Sequence, residues 1–410
     1  MAHAGLHIDS ARLSRRLVEL ARIGALEGGG VCRLALTAED RAGRDQVCSW
    51  MREVGLELSI DRIGNVLGTR KGRVDGAPVM SGSHIDTVRT GGLYDGNLGV
   101  LAAIEVAEVL RENGIETTHP YAAAFFTNEE GARFAPDMMG SGVHQGALDL
   151  DAMLQVRGID DRSVDECLQE IGYAGSVPCG AVRAHSYLEL HVEQGPILER
   201  EGLEIGAVDS VQGISWQELE LHGTSNHAGT TPMALRNDPG FVASQLAVFM
   251  RELARRMGGN QVATVGRLEL TPNLINVIPS IARMTVDLRN TDESLLQAAE
   301  AEFAAQLEGL AQKEGVEFTT RSLARFEPVR FDDELVGRVE TAARNLGHSV
   351  RRMPSGAGHD AQMFAPNCPA AMVFVPSRGG ISHNVTEYTA PEQIEAGANV
   401  LLRVLLEQLG

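Results

Sequence analysis

Cysteine is scarce in this chain: five residues (Cys32, Cys48, Cys167, Cys179, Cys368) in 410, odd in number, scattered, and never spaced as C-x-x-C. That pattern excludes a disulfide framework and leads to the expectation of reduced thiols in a cytoplasmic protein. Long apolar runs are missing as well. Nothing approaches the ~18 residues of a spanning helix, and the N-terminus has no apolar signal-peptide core, so no membrane association is expected. Positive charge is in short supply: 36 Lys and Arg against 55 Asp and Glu leave a net −19. Such a field repels a phosphate backbone, which argues against nucleic-acid binding. An anionic substrate would need a local cation, either a metal or an arginine. Internal repeats and low-complexity segments are absent too. What remains is ordinary globular composition, 43% hydrophobic and 22% charged, over a length suited to two or three domains.

Against that background one stretch stands out, Gly82-Ser83-His84-Ile85-Asp86-Thr87-Val88, with Tyr94-Asp95-Gly96-Asn97 behind it. Ala77 to Met80 predicts a short buried strand ending in small residues, and alternation puts His84 and Asp86 on one face. A glycine-rich turn delivers Asp95 before a helical stripe of Val100, Ile104, Ala107 and Leu110. Tyr121 to Thr127 is then an apolar strand running into Asn128-Glu129-Glu130-Gly131. Strand, helix, strand implies a parallel sheet, in which ligands gather beyond the carboxyl ends of the strands.

Elsewhere, Asp9-Ser10 cap an amphipathic helix, Arg41 to Val54 reads as a second helix, and Glu57 to Thr69 as a hairpin turning at Gly64-Asn65. Residues 136–180 read as helices and loops, and Ser186 to Val192 as a strand leading into Glu193-Gln194-Gly195-Pro196. Around Gly213 the texture becomes βαββαβ, and after Phe331 it returns to α/β, ending in the strand Ala371 to Pro376 and Ser382-His383-Asn384. The expected fold class is α/β: a mixed, mostly parallel sheet flanked by helices over 1–212 and 329–410, with an α+β domain inserted at 213–328.

His84, Asp95, Glu130, His191 and His383 each end an apolar strand or sit at a tight turn, and imidazole with carboxylate suits Zn²⁺ and its neighbours. Five such ligands divide into two terminal ligands for each of two ions plus one bridging acid, with a shared water acidified toward neutral pH. Asp86 is expected to hydrogen-bond the His84 ring and fix its tautomer. Glu129 and Glu130, as neighbours on an extended segment, should face opposite ways, leaving one to bind metal and the other to act as base.

The motifs GSHIDTV, YDGNLGVLAA, TNEEGARF, ELHVEQGPILE, NHAGTTPM, INVIP, SGAGHDAQ and ISHN, in this order, resemble those of the hydantoinase/carbamoylase family of metal-dependent amidases, a di-zinc-exopeptidase-like branch of the aminoacylase/carboxypeptidase metallohydrolases. The resemblance covers nearly the whole chain. It implies two divalent ions per subunit (Zn²⁺, Mn²⁺, Co²⁺ or Ni²⁺), Asp95 bridging them, His84 and His191 on one and Glu130 and His383 on the other. Glu129 would be the general base, with Asp86 behind the metal site, and His227 would stabilise the oxyanion. Asn276 and Arg289 would hold a substrate carboxylate, with Gln194 and the Gly358-His359 segment as further substrate contacts. The inserted domain would act as lid and homodimer interface. The reaction implied is hydrolysis of the ureido C–N bond of an N-carbamoyl amino acid, of L-α or β-alanine type, to amino acid, CO₂ and ammonia. Allantoate hydrolysis and N-acyl amino acid or dipeptide hydrolysis are the alternatives.

Overall fold

The computed structural model describes residues 5–410. By its internal packing the chain forms two compact units, one running to Asp209 and resuming from Arg330 to Gly410, the other Ser210–Val329. Among the described residues no helix is long and apolar enough to cross a membrane, and all five cysteines are free thiols.

The larger unit is built on a mixed sheet. Its strands lie side by side in the order Glu57–Ile60, Val66–Arg70, Tyr121–Phe126, Val79–His84, Ser186–Val192, Ala370–Val375 and Ile205–Val211, with Val350–Ser355 beside the last. The four central strands run parallel to one another, while Glu57–Ile60 with Val66–Arg70, Val66–Arg70 with Tyr121–Phe126, and Ala370–Val375 with Ile205–Val211 pair antiparallel. Three of these central strands, Tyr121–Phe126, Ser186–Val192 and Ala370–Val375, read as near-continuous apolar runs because helices cover both faces of a parallel sheet. Asn97–Glu112 packs on the first three central strands, and Pro391–Leu409 on Ser186–Val192 and Ala370–Val375.

The strand expected to stop at Met80 continues to His84. Its small residues are what let it continue. Gly82 lies opposite Ala124, and a methyl group there would sit 2.1 Å from the Ala124 carbonyl oxygen. The small residues therefore belong to the strand and carry His84 to its very end. Asp9 and Thr37 cap the first two helices through their side chains, as short oxygen-bearing residues do when they satisfy free amides.

The smaller unit is a four-stranded antiparallel sheet in the order Glu317–Phe326, Gly213–His222, Ile281–Asn290, Val262–Thr271, with helices Pro239–Met257 and Glu293–Glu314. Alternation along Ile281–Asn290 buries Ala282, Met284, Val286 and Leu288, which meet Leu246, Met250, Leu296 and Phe303 in one core. The chain order is the expected βαββαβ.

Two glycines test this packing in opposite directions. Gly82→Ala is expected to cost about 2–3 kcal/mol, because backbone must move to admit the methyl group. Gly337→Ala, inside a helix with its nearest neighbour at 3.6 Å, should gain about 0.5–1 kcal/mol. Thermal unfolding of the purified variants checks both signs.

Candidate metal centre and active site

His84 ends one central strand, and His191 stands one residue before the end of its neighbour, so both imidazoles reach the carboxyl edge of the sheet. Each ring meets a main-chain carbonyl oxygen through Nδ1: His84 that of Asp86 at 2.9 Å, His191 that of Val192 at 2.9 Å. Each Nδ1 therefore donates, which turns Nε2 toward the site; that of His191 accepts the Gly96 amide at 3.1 Å. Gly96, at φ +66°, leaves the room that the His84 ring needs, since a Cβ there would lie 2.4 Å from ring atoms.

Asp95 stands between the two groups of ligands. Its Oδ1 is 3.5 Å from His84 Nε2 and 3.1 Å from His191 Nε2, while its Oδ2 is 3.5 Å from His383 Nε2. His383 Nε2 is in turn 3.2 Å from Glu130 Oε2. In each triad, His84–Asp95–His191 and Asp95–Glu130–His383, the candidate donor atoms lie within 4.8 Å of one another. Two atoms bound at ~2.1 Å to one tetrahedral ion stand about 3.4 Å apart, so the donor types and spacing fit metal in both triads. Glu189, His191 and His359 satisfy the same spacing, but their atoms are otherwise engaged. Glu189 accepts from Ser83 Oγ (2.6 Å) and the Ala361 amide (2.9 Å), and His359 Nε2 meets Ser355 Oγ at 2.9 Å.

Asp86 corrects an expectation. Its main-chain oxygen, not its carboxylate, fixes the His84 ring; the carboxylate accepts the amides of Glu129 and Glu130, each at 3.3 Å. The reason lies in the neighbouring turn. Asn128 has φ +55°, so Glu129 and Glu130 sit on a bend, not on the extended segment expected, and their exposed amides need an acceptor. The bend still sends the two acids apart, Glu129 Oε2 to 3.3 Å from His84 Nε2 and Glu130 toward His383.

Burial is the largest influence on Glu129 and holds its carboxyl well above the usual range, with Asp360, Glu130 and Asp86 pushing the same way against His84. Burial opposes charge on His84, but Glu129, Asp95 and Asp86 outweigh it and raise the imidazole well above its ordinary value. His383, hydrogen-bonded to Glu130, is pushed up to about 9. Asp95 goes the other way: bonds from His191 and His84 overcome burial and keep it well below the usual range.

Gln194, expected as a substrate contact, donates Nε2 to Asp95 Oδ2 at 2.9 Å, and its Oε1 is buried without a hydrogen-bond donor. His359 is buried behind His191, ring centroids 4.5 Å apart, and begins the helix Asp360–Phe364. Gly358 packs where a Cβ would meet the Met138 side chain at 2.9 Å. Sequence reasoning missed Glu189, Asp360, Ser382 and Glu387. Asp360 is wholly buried, and burial followed by the charge of Glu189 raises it to about 8. The one available signal was position, since Asp360 follows His359 and Ser382 precedes His383.

The remaining candidates lie in the smaller unit. His227 and Asn276 are brought together there by the two-residue pairing of 226–227 with 277–278, and the Ala228 amide donates to the Asn276 carbonyl at 2.9 Å. His227 Nδ1 accepts from the amides of Gly229 (3.0 Å) and Thr230 (3.3 Å), so its proton is on Nε2, ready to donate. Arg289 is not with them. It lies near the far end of Ile281–Asn290, where it is paired with Asp287 at 3.0 Å and lies over Trp216. Ile281 and Arg289 are about 27 Å apart along a strand rising ~3.4 Å per residue, and Asn276 lies beyond the Ile281 end. Within one chain, then, Asn276 and Arg289 do not reach the same carboxylate.

Residues 80–407 match the profile of peptidase family M20/M25/M40. The chain belongs to this family. An N-carbamoyl-L-amino-acid amidohydrolase of Rhizobium meliloti is 39% identical over 98% of this chain and 96% of its own. An allantoate amidohydrolase of Bacillus subtilis is 36% identical over 94% of each chain. The crystal structure of a hydantoinase/carbamoylase family amidase from Burkholderia multivorans superimposes with a TM-score of 0.96 at 44% identity over 98% of both chains. Within the M20 family this protein is thus a hydantoinase/carbamoylase-type amidase, a hydrolase of carbon–nitrogen bonds other than peptide bonds.

Metal binding by this M20 protein should be coupled to protons. At pH 7 His84 and His383, both raised, carry protons that a metal must displace, so chelator-stripped protein is expected to release protons on taking up Zn²⁺. Affinity should rise with pH toward 9 and fall on acidification. Calorimetric titrations in two buffers of different ionisation enthalpy measure the release directly.

Proposed function

We propose that this M20 protein is a dimetal-dependent amidohydrolase that cleaves the ureido C–N bond of N-carbamoyl amino acids, giving the amino acid, CO₂ and ammonia. The observation that supports this most is the division of Asp95, one oxygen turned to His84 and His191 and the other to His383, which is the arrangement of a bridging carboxylate. When bound there, divalent ions such as Zn²⁺ or Mn²⁺ supply Lewis-acid polarisation and a water acidified toward neutral pH.

The chain's own groups take the other roles. Glu129 accepts the proton of the attacking water and returns it to the departing amino nitrogen, so that one C–O bond forms as one C–N bond breaks; the carbamate left behind then decomposes to CO₂ and ammonia. Burial raises the affinity of Glu129 for protons and divalent ions beside it would lower it again, so the two influences offset each other in a group that must first take a proton and then give it back. His227, with Nε2–H free of its two amide contacts, donates to the carbonyl oxygen as negative charge builds. Gln194 keeps Asp95 oriented and offers an acceptor oxygen to the ureido nitrogen. Asn276 and Arg289 anchor the substrate carboxylate, Arg289 by exchanging Asp287 for it. Because those two are far apart within one chain, the reading requires a homodimer in which they come from different subunits. With five free thiols, the enzyme acts in the reducing cytoplasm.

A second reading, allantoate hydrolysis, is favoured by the Bacillus subtilis relative, and it uses the same groups. Ammonia release with added Mn²⁺ or Zn²⁺ separates them, using N-carbamoyl-L-amino acids, N-carbamoyl-β-alanine and allantoate, with free-amine release measured for N-acetyl-L-amino acids. Turnover of N-carbamoyl amino acids is expected; turnover of only the N-acetyl compounds would overturn the ureido reading. Glu129→Gln should lower kcat by about 10²–10⁴-fold with the metal still bound. Arg289→Ala should raise KM for the carboxylate substrate at least tenfold, with a smaller effect on kcat.

A further inference from the structure

Glu387 has no part in the reaction above, yet it is buried to 4% exposure beside the metal ligands. Its Oε1 accepts the main-chain amides of Tyr94 and Asp95, each at 3.1 Å. Its Oε2 is 3.1 Å from Ser382 Oγ, which also lies 3.0 Å from Asp95 Oδ2. The fit on the Asp95 side is close, because a Cβ on Gly92 would fall 2.3 Å from Glu387 Oε1. On its own side, the Glu387 amide donates to the Asn384 carbonyl at 3.0 Å, closing the turn that begins at His383. Across the gap, Thr90 Oγ1 reaches the His383 carbonyl at 3.3 Å. One carboxylate therefore joins two loops almost three hundred residues apart in sequence, the loop that ends in Asp95 and the loop that starts with His383.

We propose that Glu387 is a positioning residue that fixes Asp95 and His383 relative to each other and so preforms the metal site. The inference rests on the reading of Asp95 and His383 as ligands. Hydrogen bonds behind metal ligands set ligand direction, and losing one commonly weakens metal binding 10–100-fold. Placing a carboxylate beside Asp95 has an electrostatic consequence. The charge of Asp95 opposes charge on Glu387, so part of what its hydrogen bonds contribute is offset in the stripped protein and its full benefit emerges only when cations are present. A purely structural residue would stabilise both states equally.

Chelator-stripped wild type, Glu387→Ala, Glu387→Gln and Ser382→Ala would be titrated with Zn²⁺ and with Mn²⁺ by calorimetry, and melted with and without metal. Glu387→Ala should bind metal at least tenfold more weakly, with a smaller loss of melting temperature in the stripped protein than in the metal-loaded one and so a clearly smaller gain on metal addition. Glu387→Gln should stay within about threefold of wild type, since one amide oxygen can still accept both main-chain N–H groups. Ser382→Ala should fall between, and it carries the test if Glu387→Ala does not fold. Wild-type metal affinity in both Glu387→Ala and Ser382→Ala would overturn the proposal, as would an equal loss of melting temperature with and without metal. Failure of wild type itself to bind a divalent ion would instead remove the metal reading, and this inference with it.

Discussion

Asp86, Asp95 and Glu129 are packed around His84 and His191, with Glu130 close by on the His383 side, where water hardly reaches these acids, and like charges that close repel with little screening. The surrounding larger unit can be read as the means of tolerating that concentration. Asp86 is answered by two amides on the Asn128 bend. Arg44, fully buried, pairs with Asp40 at 2.8 Å and donates to the Gly64 carbonyl, lying beneath the same edge. Arg33, also fully buried, spends its hydrogen bonds on the carbonyls of Leu20, Ile23 and Ile85 and on Asn97, holding the segments on either side of Asp95. The acids and these arginines do not cancel pairwise. What the pocket lacks is positive charge at its centre, where a divalent ion would supply it.

Much of this was readable in the residues because the signals are local. Strand ends, caps and the βαββαβ order depend on periodicity and turn chemistry over a few positions, and the histidines and acids stand out at those ends. The misses share a different cause. Asp86 was given the right neighbour and the wrong atom, because a main-chain carbonyl and a side-chain carboxylate two residues on look alike in sequence. Asn276 and Arg289 are thirteen positions apart, and only the run of Ile281–Asn290 shows that they point to different places. Pro391–Leu409, buried on most of its circumference, and the strand Ile205–Val211 drew no expectation, since such runs show little periodicity when both sides are covered, and the half-buried Val350–Ser355, with two arginines and a proline, reads poorly as a strand. Glu387 and Glu189 act by accepting hydrogen bonds from segments far away in the chain, which no local pattern encodes.

Strained backbone gathers at the same edge of the sheet. Asn128, Gln194 and His383, none of them glycine, all have φ between +53° and +57°, and each precedes or is a residue of the candidate site. Such conformations cost of order 1 kcal/mol each and persist where surrounding contacts dictate them. Here those contacts include the Phe134 carbonyl bonded by Asn128, the Ser377 hydroxyl at the Gln194 amide, and the Thr90 hydroxyl at the His383 carbonyl.

The two sides of Asp95 differ in one further respect. The side chains of His84 and His191 are each 1% exposed, whereas that of His383 is 51% exposed. An ion held by the inner pair must break out through packed protein, while one on the outer side has a ligand that can swing into water and carry the first step of release. The inner position would then exchange an ion slowly and the outer one quickly. The identity of the outer ion would follow the composition of the medium, while the inner one would preserve a record of what was present when the protein folded.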